Sequence, residues 1–284
     1  MVNKIVVFDL DETLGSFVEL CIFWNAIIEY IKSKDLIYEP TQKDFNELIE
    51  KYPEFIRPNI YAILSYLKTK KNDGSCYKVM IYTNNKQPKS WVILLKNYFE
   101  SIISNPGFVD QIICAFKING KQIELCRTTH DKNYDDFIQC SKLQRSSQIC
   151  FVDDIYYPNM HTENIFYIKI KPYIYKIPVN TLLKRFTRLS LANHINIKTD
   201  FNNYVHDFFN KTDWIYNKKK LPDFENDKTN SNNILERIKL FFNTQKSSHN
   251  QGFRINRFTL KNRTKILQRS TTCKLRKHTV DKSN

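Results

Sequence analysis

Two carboxylates, Asp9 and Asp11, stand two residues apart where the apolar run Ile5-Val6-Val7-Phe8 ends. Two similar runs end in polar residues of the same kind of use: Lys78–Tyr82 leads into Thr83-Asn84-Asn85, and Ile149–Val152 leads into Asp153-Asp154. Together they match what phosphoryl transfer needs: a nucleophile, a proton donor for the leaving oxygen, and positive charge on the equatorial oxygens. Asp9 is the candidate nucleophile, because a carboxylate that forms an acyl-phosphate splits one difficult displacement into two. Asp11 is the candidate acid and base. Magnesium keeps several waters and asks for one or two carboxylates, which Asp9 and one of Asp153 and Asp154 would supply. Thr83 and Asn84 are candidate phosphate ligands. Lys132 is the candidate phosphate lysine, with Lys117, Lys121 and Lys142 as competitors, and His130 and His161 read better as surface or structural residues than as metal ligands.

These residues require a scaffold that brings three strand ends together. Short apolar strands alternating with helical stripes predict an α/β fold with a mostly parallel sheet flanked by helices, in which ligands bind outside the carboxyl ends of the strands. The stripes are Leu20, Phe23, Ile27 and Ile31; a second helix over 41–51; Ile60, Ile63, Leu64 and Leu67, with Pro58 placed in the first turn; Trp91, Leu94, Leu95 and Tyr98; and a helix over 130–143 that Lys132 would open. Ile112–Ile118 and Gln122–Cys126 around Asn119-Gly120 predict a β-hairpin insertion, since Asn-Gly supplies the positive φ angles of a tight turn. Residues 165–178 are read as a further strand. Helical patterns at Leu182–Leu191 and Ile234–Phe242 flank a polar, Asn-rich linker at 225–233.

Asp9-Leu10-Asp11-Glu12-Thr13-Leu14 resembles the first signature of the haloacid dehalogenase superfamily, in the form typical of the FCP/SCP-like phosphatases. That group acts on the C-terminal domain of RNA polymerase II and includes the NLI-interacting-factor relatives. Arg57-Pro58 resembles that group's Arg-Pro-Gly segment, with Asn59 in place of the Gly. Ile81-Tyr82-Thr83-Asn84 resembles the second signature, and Phe151-Val152-Asp153-Asp154 the fourth. Lys132 would be the lysine of the third, where the usual Lys-Asp-Leu reads Lys-Asn-Tyr. The resemblance spans about residues 3–175. It implies a Rossmann-like fold and magnesium-dependent phosphomonoester hydrolysis through an aspartyl-phosphate, acting on phosphoserine or phosphothreonine in a protein. It further implies Asp154 as the direct metal ligand, Asp153 as a water-mediated one, and the main-chain carbonyl of Asp11 as a third. Two competing readings are a nucleic-acid end phosphatase and a non-catalytic phosphopeptide-binding or scaffold protein on the same fold.

The chain has 284 residues and a formal net charge of +15. Residues 245–284 hold 11 Lys/Arg against the single acid Asp281, so 33 basic and 28 acidic residues precede them, a net of +5. That division sets a basic tail apart, while the resemblance implies a phosphatase domain over 1–178 and the helical patterns a helical extension over 179–244. Blocks of like charge are often solvated and disordered, and also serve as polyanion contacts. The tail is therefore a candidate for binding nucleic acid or an acidic partner, or for nuclear import around Lys274–Lys277. Seven Cys without a Cys-x-x-Cys pair, several of them within apolar runs, read as free thiols of a reducing compartment. No apolar run approaches a membrane span. The expectation is a soluble intracellular protein, in the nucleus or cytoplasm, with no membrane association.

Overall fold

The computed structural model describes residues 3–195, 199–212 and 224–244. Strand β1 (Lys4–Phe8) is the middle of a five-stranded sheet. Helices α1 (Phe17–Ser33), α2 (Gln42–Lys51) and α3 (Ile60–Asn72) lead to β2 (Lys78–Tyr82), then α4 (Lys89–Ile102) and β3 (Gln111–Ile113). A two-stranded ribbon, β4 (Lys117–Ile118) and β5 (Lys121–Gln122), precedes α5 (Tyr134–Ser141), β6 (Gln148–Asp153) and β7 (Ile165–Lys169). Helices α6 (Val179–Phe186), α7 (Thr199–Lys211) and α8 (Phe224–Asn243) follow. The sheet order is β3-β2-β1-β6-β7, and every pairing in it is parallel. The fold is thus α/β and Rossmann-like, with helices on both faces of the sheet.

Alternation along the strands explains why each run is apolar throughout. Val6 and Phe8 join Val79, Ile81, Cys150 and Val152 in the larger core, under α1 to α4 and α6 to α8. Ile5 and Val7 point the other way, with Met80, Tyr82, Ile149 and Phe151, into a smaller core closed by Phe137 and Ile138 of α5. A strand covered on both faces has no polar side to show, unlike one half exposed to water.

Several local expectations are corrected. Pro58 lies outside α3: Asn59 caps that helix with φ 62°, so the helix begins at Ile60. Asn enters the left-handed region more readily than most residues, which suits it to the place of a Gly. The predicted hairpin is cut down, because Ile112 and Ile113 pair with β2 and only β4 and β5 remain around Asn119 (φ 49°) and Gly120 (φ 79°). Helix α5 begins at Tyr134, capped by Asn133, so Lys132 precedes it rather than opening it. The strand read over 165–178 stops at Lys169.

The Asn-rich segment 225–233 is helical and not a linker, forming the first half of α8. Burial of Ile234, Ile238 and Phe241 anchors the second half, and a helix once nucleated extends at little cost through residues of modest propensity. Its far end is capped from the sheet. Lys4 Nζ donates to the carbonyls of Phe241 (2.9 Å), Phe242 (2.8 Å) and Thr244 (2.9 Å), placing a cation where a helix leaves its carbonyls unpaired.

The cysteine expectation also changes. Cys126 and Cys140 form a disulfide, whereas Cys21, Cys76, Cys114 and Cys150 are buried and free. Cys126 lies in the segment after β5 and Cys140 in α5, and the fold brings their Cα atoms to 5.1 Å. Their spacing in sequence carries no mark of this. The proposed basic tail, including Cys273, lies outside the described residues. None of the described helices is long and apolar enough to cross a membrane.

Candidate active site

Parallel pairing in register brings the three polar strand ends side by side. Phe8 lies opposite Ile81 of β2 and Val152 of β6, so the next residues, Asp9, Tyr82-Thr83 and Asp153-Asp154, leave the sheet together at its carboxyl edge. Asp9 N–H still donates to the Val152 carbonyl at 2.9 Å, and Thr83 N–H to the Ile113 carbonyl at 3.0 Å. Both residues therefore start from fixed backbone.

Lys132 is the hub. Its Nζ donates to Asp9 Oδ1 at 2.5 Å and to Asp153 Oδ2 at 2.7 Å, with the lysine and Asp153 each 1% exposed. Burial alone would push the ammonium down, but Asp9 and Asp153 outweigh it and hold its pKa well above the ordinary lysine range. Lys121 and Lys142 are exposed and Lys117 is half-buried in β4. His130 and His161 are exposed and outside the acidic group.

Asp9, Asp153 and Asp154 offer carboxylate oxygens within 4.8 Å of one another, a group that could hold a metal ion. Its donors are not equally free. Asp153 Oδ1 accepts from Ile155 N–H at 2.7 Å and Oδ2 accepts from Lys132. Asp154 Oδ1 accepts from Thr13 Oγ1 at 3.1 Å, and Thr13 Oγ1 in turn accepts from Asp154 N–H at 3.1 Å. That leaves Asp9 Oδ2 and Asp154 Oδ2 without a partner among the described residues. Two free carboxylate oxygens suit a hard cation that keeps most of its water. Burial, then the charge of Asp9, pushes the Asp154 carboxyl up, and a divalent ion would reverse that balance.

Asp11 is set apart from this group. Asn85 Nδ2 donates to its Oδ2 at 2.7 Å, while its Oδ1 is buried without a partner among the described residues. Burial, against the Asn85 bond and reinforced by the charges of Asp9 and Glu12, pushes its carboxyl up to about 7. A carboxyl in that range changes protonation near neutral pH, as an acid that later acts as a base must.

The loop from Asp9 to Gly15 is held by Arg57, which is 1% exposed. Its Nε donates to the Thr13 carbonyl at 2.6 Å, and its Nη2 to the carbonyls of Glu12 (2.6 Å) and Lys171 (2.8 Å). Gly15 permits the close approach: a Cβ there would lie 2.4 Å from both the Phe55 carbonyl oxygen and the Phe17 ring.

Thr83 is 1% exposed, and its Oγ1 accepts from Asn85 N–H at 3.0 Å, which leaves its hydroxyl proton to give. Asn84, the other candidate phosphate ligand, donates to Tyr157 Oη at 3.1 Å. Arg127 is a site-supporting residue for which the sequence carries no mark. It donates to the carbonyls of Thr83 (3.2 Å), Cys114 (2.8 Å) and His130 (2.9 Å), tying the Thr83 turn to the segment that delivers Lys132. Asn85, which donates to Asp11, is a second site-supporting residue. Its position beside Thr83 was the only available signal.

Compared with protein-family models, curated proteins and solved structures, the chain matches none.

Proposed function

We propose that the protein is a magnesium-dependent phosphomonoesterase of the haloacid dehalogenase type, with Asp9 as the nucleophile. The observation that carries the reading is the buried Lys132 shared between Asp9 and Asp153, beside a separate carboxyl, Asp11, whose pKa lies at about 7. A buried ammonium flanked by carboxylates at the open end of a parallel sheet is a costly arrangement for structure alone, and perturbed carboxyls in such a place favour a catalytic role.

In this reading Asp9 attacks phosphorus while Asp11, protonated, gives its proton to the departing oxygen. Asp11, now ionised, then takes a proton from the water that cleaves the acyl-phosphate. Lys132 and the Thr83 hydroxyl bind the phosphate oxygens. Asp9 and Asp154 would hold the magnesium, with Asp153 fixed behind them by Lys132. When bound, the ion neutralises charge between an anionic nucleophile and an anionic substrate. Phosphoserine or phosphothreonine in a protein is the proposed substrate class, resting on the resemblance of the first signature.

The test is hydrolysis of p-nitrophenyl phosphate with magnesium or EDTA, beside Asp9→Asn, followed by phosphopeptide against 3′-phosphorylated oligonucleotide. Turnover that needs both the ion and Asp9 is expected. Full magnesium-dependent activity in Asp9→Asn would sink the assignment, and preference for the oligonucleotide would replace the protein substrate.

A further inference from the structure

Strand β7 is the last strand of the sheet, and its outer edge faces α8 across a groove of about 500 Å³. The residues flanking β7 turn their backbone groups inward to β6 and set the alternation along it: Asn164 C=O accepts from Ile149 N–H and Ile170 N–H donates to the Asp153 carbonyl. Tyr167 and Lys169, of the opposite parity, turn theirs outward. Tyr167 C=O takes Arg237 Nη2 at 2.9 Å. Tyr167 N–H, Lys169 N–H and Lys169 C=O have no partner among the described residues. A row of unpaired donors and acceptors on an edge strand is a template for another strand.

The opposite wall is one face of α8, formed by Asn233, Ile234, Arg237 and Leu240 at helical spacing. Leu240 is 56% exposed, so the groove offers an apolar contact as well as a backbone edge. Its charge is one-sided. Lys169, Lys171 and Arg237 line it against the single acid Glu236, which is already paired with Lys239 at 2.8 Å. The lining segment Ile168 to Lys171, whose first two residues end β7, spans roughly 13 Å at about 3.3 Å per extended residue.

We propose that this groove binds an acidic peptide segment in extended conformation, added as a sixth strand beside β7. Main-chain bonds to Tyr167 and Lys169 supply the pairing, as in other edge-strand recognition. Carboxylates of the segment meet Lys171 and Arg237, and an apolar side chain rests on Leu240. The partner class follows from the unpaired backbone edge together with the charge: a nucleic acid would meet the cations but has no peptide N–H and C=O groups to pair with the strand. This site is distinct from the carboxylate group, although Lys169 Nζ also donates to the Asp154 carbonyl, so the groove opens beside it.

The experiment uses the full chain and fluorescence anisotropy with a labelled eight-residue peptide of alternating glutamate and valine. A second peptide of equal charge carries proline at alternate valine positions, which removes main-chain donors, and an oligonucleotide of equal charge is the third probe. The 11 Lys/Arg of residues 245–284 attract any polyanion, so the differences between probes and between variants decide. Binding of the first peptide should exceed that of the proline peptide and the oligonucleotide at least tenfold. Lys171→Glu/Arg237→Glu should remove that difference, and Leu240→Asp alone should reduce it. Asp9→Asn should leave it unchanged, whatever becomes of the proposed hydrolysis. Equal binding of the three probes, or a preference that survives charge reversal in variants with unaltered circular dichroism, would overturn the proposal.

Discussion

Replacing Lys132 by Met removes the one cation that two buried carboxylates share, at 2.5 Å and 2.7 Å. Taking one partner from a buried ion pair costs about 3–5 kcal/mol, because the remaining charge is left without compensation. Here the loss has a pH dependence that identifies its cause. Burial already pushes the Asp153 carboxyl above its ordinary value while Lys132 pulls it down, so without the lysine the folded state takes up a proton that the unfolded state does not hold. A folded state binding more protons loses stability as pH rises, by about 1.4 kcal/mol per unit for each extra proton. In EDTA, urea unfolding of Lys132→Met should therefore show about 3–5 kcal/mol of loss at pH 8. At pH 6 the loss should be smaller by about 1–1.5 kcal/mol, because the parent's Asp153, itself pushed up to about 7, already takes up part of that proton. Magnesium should stabilise the variant, since an ion binding only the folded state adds about 2.7 kcal/mol at a hundred times its dissociation constant. A loss below about 1 kcal/mol, or the same loss at both pH values, would refute the placement of Lys132 among ionised carboxylates.

Glu19 offers an independent titration. Its side chain is buried, Oε1 accepts from Ile177 N–H at 3.1 Å, Oε2 has no partner among the described residues, and burial, partly offset by that bond, pushes the carboxyl up to about 7. Its contribution to stability should fall as pH rises from about 4.5 to 7, by up to about 3 kcal/mol. Glu19→Gln should abolish that dependence in denaturation curves, gaining on the parent at pH 8 and matching it near pH 4.5. Gly15→Ala should cost about 1–3 kcal/mol by overpacking and lower turnover of p-nitrophenyl phosphate, because the displaced loop carries Asp9 and Asp11; full activity would show that the loop can yield. Arg127→Met should leave the Thr83, Cys114 and His130 carbonyls without their donor, at about 1–3 kcal/mol for each buried group left unpaired. Thermal melts and the Michaelis constant for the ester would reveal it, and Arg127→Lys should recover part of both.

Much of the fold was legible because β1, β2 and β6 lie in the middle of the sheet. A strand covered on both faces must be apolar throughout, and its end is marked by the first polar residue. Asp9, Thr83 and Asp153 are each that residue. Edge elements lacked the mark. The pairing of β3 spans only Gln111–Ile113, too short for a pattern to separate it from the ribbon that follows. In α8, three buried apolar residues stabilise a helix whose first half is polar, so packing overrides composition.

The carboxylates and Lys132 were visible in the sequence, and Arg57 through its motif, whereas the backbone contacts that hold the site were not, and the difference is one of kind. Asp9, Asp11, Asp153 and Asp154 announce themselves because strand ends rich in acid are hard to explain by packing. Arg57 and Arg127 act through backbone carbonyls, and a carbonyl belongs to every residue. No pattern of side chains can mark which carbonyl, 44 positions away in both cases, will receive a guanidinium. The same holds for Cys126 and Cys140, which meet because α5 lies back against the segment that carries Lys132. Residues that do chemistry are constrained in type, and those that aim them are constrained in place. Place exists only once the chain has folded.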